Sequence, residues 1–333
     1  MATMDDVAAR AGVSGTTVSH VLNGTRYVSD ATRAKVEAAI AELGYRHNMA
    51  ARALAAGRTQ TIGLSISALT NPYFGSLVHA IEKQVTEAGY MLISGDSHDD
   101  ATMEKRVVES FLDRRVDGII MAPSVGAEYR TIPQITASKT PLILIDRNAP
   151  VDCDQITPEN IDSAYLLTHH LLEKGHRQVA VVTGLAGLGS TSERYQGYVR
   201  ALADFEIEVD ETLVLNGASK AEVAQDAVIR RFQEPHGRPT ALVVMNNAMS
   251  IGAIRGLRSL HLAIPDDVAF CGYDDFEWAD LFEPQLTTVA QNVEEMGQRA
   301  VDLLFQRISG NDAPPRRVQV PTTFRHRHSC GCR

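Results

Sequence analysis

The stretch GVSGTTVSHVLNG, residues 12–24, concentrates small hydrogen-bonding side chains at helical spacing. With Ser14 as N-cap, a helix running to about Asn23 gathers Val18, Val21 and Leu22 into one narrow stripe. Gly15, Thr16 and His20 then project from the opposite side. Hydroxyl and imidazole groups donate to and accept from base edges, and a threonine methyl can touch a thymine methyl, so this face has the chemistry to read a major groove. Ser14, Thr17, Ser19 and Asn23, with the free N–H groups at the helix start, can hold phosphates. The same pattern also describes an ordinary surface helix, and side-chain types alone leave both readings open.

Three other clusters carry less. GLAGLG at 184–189 lacks the spacing and the acidic partner of a dinucleotide loop. DSHDD at 96–100 reads as a solvated strand-to-helix loop rather than a metal site. RHRHSCGCR at the C-terminal end places two His and two Cys within seven residues, types that bind zinc. That cluster is tighter than the usual structural spacing and lies on a tail expected to be loose, so neither metal nor cofactor is expected. No Ser/His/Asp arrangement or carboxylate pair has a catalytic context, and the chain is not expected to be an enzyme.

The elements that position the first stretch are helical. Thr3 can cap an initial helix, with Asp6 completing a capping box; Val7, Ala8 and Ala11 line that helix and Gly12 ends it. Ser29 can cap a third helix, DATRAKVEAAIAEL, whose Val36, Ala39, Ile40 and Leu43 share a face before Gly44. Three short helices, the first two joined by a turn of a few residues, have helix-turn-helix geometry, which favours the DNA reading. MAARALAAG, 49–57, can be helical but is too poor in large apolar groups to fold alone. From Thr61 onward, seven β-rich runs (TIGLSI, YMLISG, DGIIMA, PLILID, QVAVVT, ALVVMN and DVAFCGYD) alternate with amphipathic helical segments. This predicts parallel sheets covered on both faces, arranged as two doubly wound lobes, with ligands outside the carboxyl ends of the strands.

A chain of 333 residues, 44% hydrophobic and 22% charged, accommodates two or three globular domains. No apolar run approaches membrane-spanning length. The opening MATMDDVAARAG places acids where a secretory signal needs bases, so a soluble, cytoplasmic protein is expected. Four cysteines make no disulfide framework. Residues 1–60 hold seven Lys/Arg against five Asp/Glu, and the remainder 25 against 36, so a slightly basic head precedes an acidic body.

Residues 4–64, MDDVAARAGVSGTTVSHVLNG through RTQTIGL, resemble the headpiece and hinge of the LacI/GalR family of bacterial transcriptional repressors, closest to its ribose and purine repressors. The likeness continues through NPYF (71–74), RRVDGIIM (114–121), LIDR (144–147), EKGHRQVAVVTG (173–184), IPDDVAFCGYDD (264–275) and PQLTTVAQ (284–291). It implies a helix-turn-helix headpiece over 1–46, a hinge over 47–60, and a periplasmic-binding-protein-like core over 61–333. The N-lobe would comprise about 61–161 and 290–322, and the C-lobe about 162–289 and 323–333. The implied DNA-contacting residues are Thr3, Ser14, Gly15, Thr16, Thr17, Ser19, His20, Asn23, Arg52 and Leu54. Leu54 would wedge into a central minor-groove step from a hinge helix formed in the bound dimer, near the phosphate-contacting Arg58. His47 stands where the family usually has proline.

For the cleft between the lobes, the resemblance implies Asn71, Tyr73, Phe74, Asp146, Arg147, Arg194, Asn247, Asp274 and Gln291. Aromatic faces stack on sugar rings, while acids, arginines and amides bond hydroxyls. Asn246-Asn247 departs from the family's usual Asn-Asp, leaving room for an anionic or amide-bearing effector. The expected protein is a homodimeric repressor of a palindromic operator in double-stranded DNA, released by a sugar such as a pentose. The alternatives are a purine- or nucleoside-dependent corepressor response, or a transport-type solute-binding protein.

Overall fold

The computed structural model describes residues 2–24, 26–45, 57–276 and 279–332. Two compact units divide the chain, Met1–Thr59 and Gln60–Arg333. Expectations for Arg52, Leu54 and the hinge segment lie outside the described residues, as does the side chain of Asn23.

Among its described residues the first unit has three helices, α1 (Met4–Ala11), α2 (Gly15–Asn23) and α3 (Asp30–Leu43). Their starts follow from side-chain caps. Thr3 Oγ1 accepts the Asp6 N–H at 3.2 Å while Asp6 Oδ2 accepts the Thr3 N–H at 2.8 Å, a complete capping box. Ser14 Oγ accepts the Thr17 N–H at 3.2 Å, and Ser29 caps α3 through the Thr32 N–H. Gly12 ends α1 at φ 66°, in the left-handed region, and so turns the chain into α2 within three residues. Val7, Ala8, Val18, Val21, Val36 and Ala39 form the core of this small bundle.

The second unit holds two six-stranded sheets. The first contains β1 (Thr61–Ile66), β2 (Met91–Asp96), β3 (Gly118–Met121), β4 (Leu142–Ile145), β5 (Asp154–Pro158) and β11 (Arg317–Val320), in the order β11-β5-β4-β3-β1-β2, all parallel. The second contains β6 (Val179–Thr183), β7 (Val214–Asn216), β8 (Ala241–Val244), β9 (Ala269–Tyr273), β10 (Thr287–Gln291) and β12 (Thr322–Arg325), in the order β12-β10-β9-β8-β6-β7. Only β12 runs antiparallel there, against β10. The chain therefore passes between sheets three times: after β5, after β10, and between β11 and β12.

Helices α4 (Pro72–Glu87), α5 (Ala101–Asp113), α6 (Thr131–Ala137) and α11 (Val293–Ile308) pack with the first sheet. Helices α7 (Ile161–Glu173), α8 (Gly189–Asp204), α9 (Ala221–Gln233) and α10 (Asn247–Ser259) pack with the second. The α7–α8 pair is tight because Gly197 has no side chain: a Cβ there would lie 2.2 Å from the Ile161 carbonyl oxygen.

All seven apolar runs are strands, and five further strands escaped the sequence pattern. Of these, β5 (DQITP) is buried throughout although it is largely polar. Arg307 bonds Asp154 at 2.6 and 3.1 Å, and the Gln155 amide bonds the Ala149 and Val151 carbonyls, so these polar groups are satisfied by a later helix and by the loop just before the strand. The expected loose C-terminal tail is also corrected. Ser329 is fully buried; its hydroxyl donates to Phe270 O at 2.7 Å and accepts the Thr287 N–H at 2.8 Å. Arg327 pairs with Asp275 at 2.8 and 2.9 Å.

Candidate functional site

In the headpiece, Ser14 and Thr16 are exposed, while Gly15, Thr17, Ser19 and His20 are half-buried on the same short helix. Val18 and Val21 face the core, so α2 presents the expected polar side outward. The Ser14 and Thr17 hydroxyls lie 2.9 Å apart and define the helix start together. Thr3 spends its hydroxyl on the capping box, which makes it a positioning group for α1 first. Sequence reasoning passed over Arg26 and Tyr27, both exposed in the turn after α2; Tyr27 is 91% exposed, unusual for a large aromatic side chain. The adjacent cation and aromatic in GTRYVS were the available signal.

In the second unit, a cavity opens where the strands of both sheets end. Asn71, Tyr73, Phe74, Asp146, Arg147, Arg194, Asp274 and Gln291 all line it. The structure thus brings together eight of the nine residues expected there. Asn247 is the exception: its buried side chain lies outside the lining, and its neighbour Asn246 takes the place. Asn246 also caps α10 by accepting the Met249 N–H at 2.8 Å. Arg194 lies in the second turn of α8, which starts at Gly189.

The two sheets contribute matching devices. Asp146 directly follows β4 at φ 69°, and Asp274 directly follows β9 at φ 76°. A left-handed conformation at a non-glycine residue costs on the order of 1 kcal/mol or more, and such strain concentrates at functional sites. The Tyr73 hydroxyl donates to Asp146 Oδ1 at 2.7 Å. Burial first, then the Asp146 charge, pushes that phenol well above its ordinary pKa, so it remains a donor. Arg147 lies between Asp99, which it bonds through both terminal nitrogens, and Asp146, 3.5 Å from its Nε. Burial pulls the Arg147 pKa down, but the Asp99 charge and hydrogen bond outweigh that and raise it.

On the opposite side, Arg194 stacks 3.6 Å over the Tyr273 ring and donates to Asn160 Oδ1 at 2.8 Å and Met245 O at 2.7 Å. Asp274 accepts from Gln291 Nε2 at 2.6 Å and from the Asn247 N–H at 3.1 Å. Burial raises the Asp274 pKa against the pull of Arg194 and these two donors. Among the described residues, buried side-chain atoms without a hydrogen-bond partner include Ser67 Oγ, Gln291 Oε1 and both ends of the Asn247 amide. An unmade bond at such a group costs about 1–3 kcal/mol. Two of these residues, Ser67 and Gln291, line the cavity, which is therefore short of hydrogen-bonding partners.

The cavity encloses about 60 Å³, enough for some four to six waters at roughly 10–15 Å³ each. Sequence reasoning missed Ser67, Asp99, Thr191, Ser219 and Asn246 in its lining. Asp99 belongs to DSHDD, so that loop is more than a solvated connection. The strand-end rule points to Ser67, Asp99 and Asn246, which follow β1, β2 and β8 within three residues, whereas Ser219 follows β7, absent from the sequence pattern, and Thr191 lies in the first turn of α8.

Comparison with known proteins adds to this geometry. Residues 3–48 match the family described as bacterial regulatory proteins, lacI family, and residues 168–330 match a periplasmic binding protein-like domain. The chain is 35% identical over 337 aligned positions to the ribose operon repressor of Escherichia coli K12, covering 99% of this chain and all of the relative. The chain belongs to the LacI family of bacterial regulatory proteins. Another LacI-family relative, the HTH-type transcriptional repressor PurR of Haemophilus influenzae PittEE, is 33% identical over 94% of this chain and 93% of its own. The fold matches the lac repressor dimer bound to operator and the anti-inducer ONPF with a TM-score of 0.87, at 29% identity and 99% coverage of both chains. A LacI-family transcriptional regulator from Enterococcus faecium with bound ribose matches with a TM-score of 0.71, at 25% identity over 81% of this chain and 98% of that one.

As a LacI-family member, the chain is a DNA-binding transcriptional repressor under small-molecule control, with α2 as the second helix of its helix-turn-helix. Its relatives are repressors rather than enzymes. Among the described residues, no helix is long and apolar enough to cross a membrane.

Proposed function

We propose that this repressor binds a palindromic operator as a homodimer and is released from it by a neutral polyol, a pentose such as ribose, held in the cavity between the two sheets. The observation that carries the effector class is the charge and polarity of the lining. Asp99, Asp146 and Asp274 face Arg147 and Arg194, a formal excess of one negative charge. That balance disfavours an anionic effector, which Asn246-Asn247 alone had left open. A hydroxyl both donates and accepts, so one sugar can donate hydrogen bonds to the carboxylates and accept them from Arg147 or Arg194. The unpartnered Gln291 Oε1 and Ser67 Oγ add sites for further hydroxyls. Phe74, with Arg147 6.0 Å from its centroid and Tyr73 edge-on at 5.1 Å, offers one aromatic surface rather than a two-sided slot for a flat base.

Operator contact is assigned to Ser14, Gly15, Thr16, Thr17, Ser19, His20 and Asn23, with Thr3 at the start of α1 and Arg52 and Leu54 from the hinge. Effector binding turns one lobe against the other and so separates the paired hinges. A ligand shifts such an equilibrium only by its differential affinity for the two arrangements, and a few kcal/mol suffices. Isothermal titration of the full chain with pentoses, hexoses, inositols and purines tests the reading. Saturable heat with a pentose supports it; binding of a purine or nucleoside with no pentose signal replaces it with a corepressor-type regulator.

A further inference from the structure

A second cluster of chemically active groups lies away from the cavity, on the β12 edge of the second sheet. It joins His170, in the last turn of α7, to His326, Cys330 and Cys332 of the C-terminal segment. The donor atoms of the four side chains all lie within 4.8 Å of one another. Cys332 Sγ is 3.5 Å from His170 Nε2, and the two imidazole rings are 5.0 Å apart at 74°. We propose that these four residues form a zinc site that clasps the C-terminal segment to α7.

The geometry is close to what the metal needs. Tetrahedral zinc with Zn–S near 2.3 Å and Zn–N near 2.0–2.1 Å sets its donor atoms about 3.3–3.8 Å apart. The Cys332–His170 distance already falls in that range. Two thiolates balance the metal's two positive charges, so the partly buried site is neutral overall. The donor set holds no carboxylate, and a sulfur–imidazole set selects zinc over the oxygen-seeking magnesium and calcium. His170 sits at the negative end of the α7 dipole, which also favours a cation.

Protein contacts hold the scaffold in place. β12 is hydrogen-bonded to β10 up to Arg325, immediately before His326. Arg327 is bonded to Asp275 and to Leu286 O, and the buried Ser329 ties Phe270 to Thr287. Cys330 is 1% exposed, its thiol directed 3.3 Å to Arg327 O. His326 is exposed and leaves a route for the ion. The tail pattern H-x3-C-x-C does not match usual zinc spacings because the fourth ligand comes from α7, far earlier in the chain.

The test is cobalt and zinc titration of untagged full-length protein, stripped with chelator and kept reduced. One cobalt per chain, with tetrahedral d–d bands and a thiolate-to-cobalt charge-transfer band that zinc abolishes, is the expected result. Cys332→Ser and His326→Asn, both at partly or fully exposed positions, should fold and bind operator normally. Each should weaken zinc by at least the roughly 10–100-fold that even loss of an outer partner costs. Binding without charge transfer, or an affinity unchanged in both variants, overturns the proposal.

Discussion

Replacing Asp146 by asparagine separates its charge from its shape. Asp146 holds φ at 69°, a left-handed backbone that asparagine also adopts, so Asp146→Asn leaves the exit from β4 undisturbed. The side chain is 7% exposed, accepts the Tyr73 hydroxyl at 2.7 Å and lies 3.5 Å from Arg147 Nε. Arg147 keeps the Asp99 carboxylate, so the substitution strands no buried charge. What disappears is a charged acceptor for an effector hydroxyl. A hydrogen bond to a charged group contributes about 1.5–3 kcal/mol, which is roughly 10- to 150-fold in Kd at 1.4 kcal/mol per tenfold. The pentose concentration that half-dissociates the operator complex should rise by that factor, while operator affinity without pentose is unchanged. Fluorescence anisotropy of labelled operator reads both. Asp146→Ala should respond as poorly and also melt earlier, because alanine tolerates the positive φ less well. If Asp146→Asn responds at the wild-type pentose concentration, Asp146 does not bind the effector and the acceptor argument fails.

Three further outcomes follow from other parts of the molecule. Ser14→Ala removes the acceptor of the Thr17 N–H and should cost the headpiece about 1 kcal/mol, seen as faster amide exchange across α2; unchanged exchange would show that the cap is idle. Glu193 accepts from Asn148 at 2.5 Å and from Asn160 at 2.8 Å, tying the loop after β4 to α8. Glu193→Ala should therefore speed effector release by roughly tenfold or more for one charge-assisted bond, measurable by stopped flow; an unaltered rate would remove the tie from the account. Burial raises the Asp274 pKa above its ordinary carboxylate value, so the folded state holds that proton more tightly than the unfolded chain does. Its contribution is favourable at low pH and is lost as pH rises from the ordinary carboxylate range through the raised pKa. Urea denaturation across that window should show a decline that Asp274→Asn lacks, and parallel pH profiles for the two proteins would refute it.

The headpiece was legible because its signals are local. Thr3, Ser14 and Ser29 each cap the helix that follows, and Gly12, Gly24 and Gly44 end the three helices in left-handed conformations. The apolar runs likewise announced the central strands. β5, β7, β10, β11 and β12 did not show, because they are short or polar and are completed by distant partners: Asp154 by Arg307 and the β10 edge by β12. In the cavity, family likeness located the residues at the strand ends but not those on nearby loops, such as Asp99. That aspartate acquires its role only when folding brings Arg147 to it across 48 residues. His170 and Cys332, 162 residues apart, meet for the same reason.

The central claim is that a small polyol held between the two sheets governs operator binding. Its most direct test is anisotropy of a palindromic operator selected with this protein, titrated in a salt series with and without D-ribose. Operator affinity should fall by about 0.9 log units per phosphate contact for each tenfold rise in salt, and drop further when the pentose is added. An operator affinity indifferent to every pentose, or tightened by a purine, would contradict it.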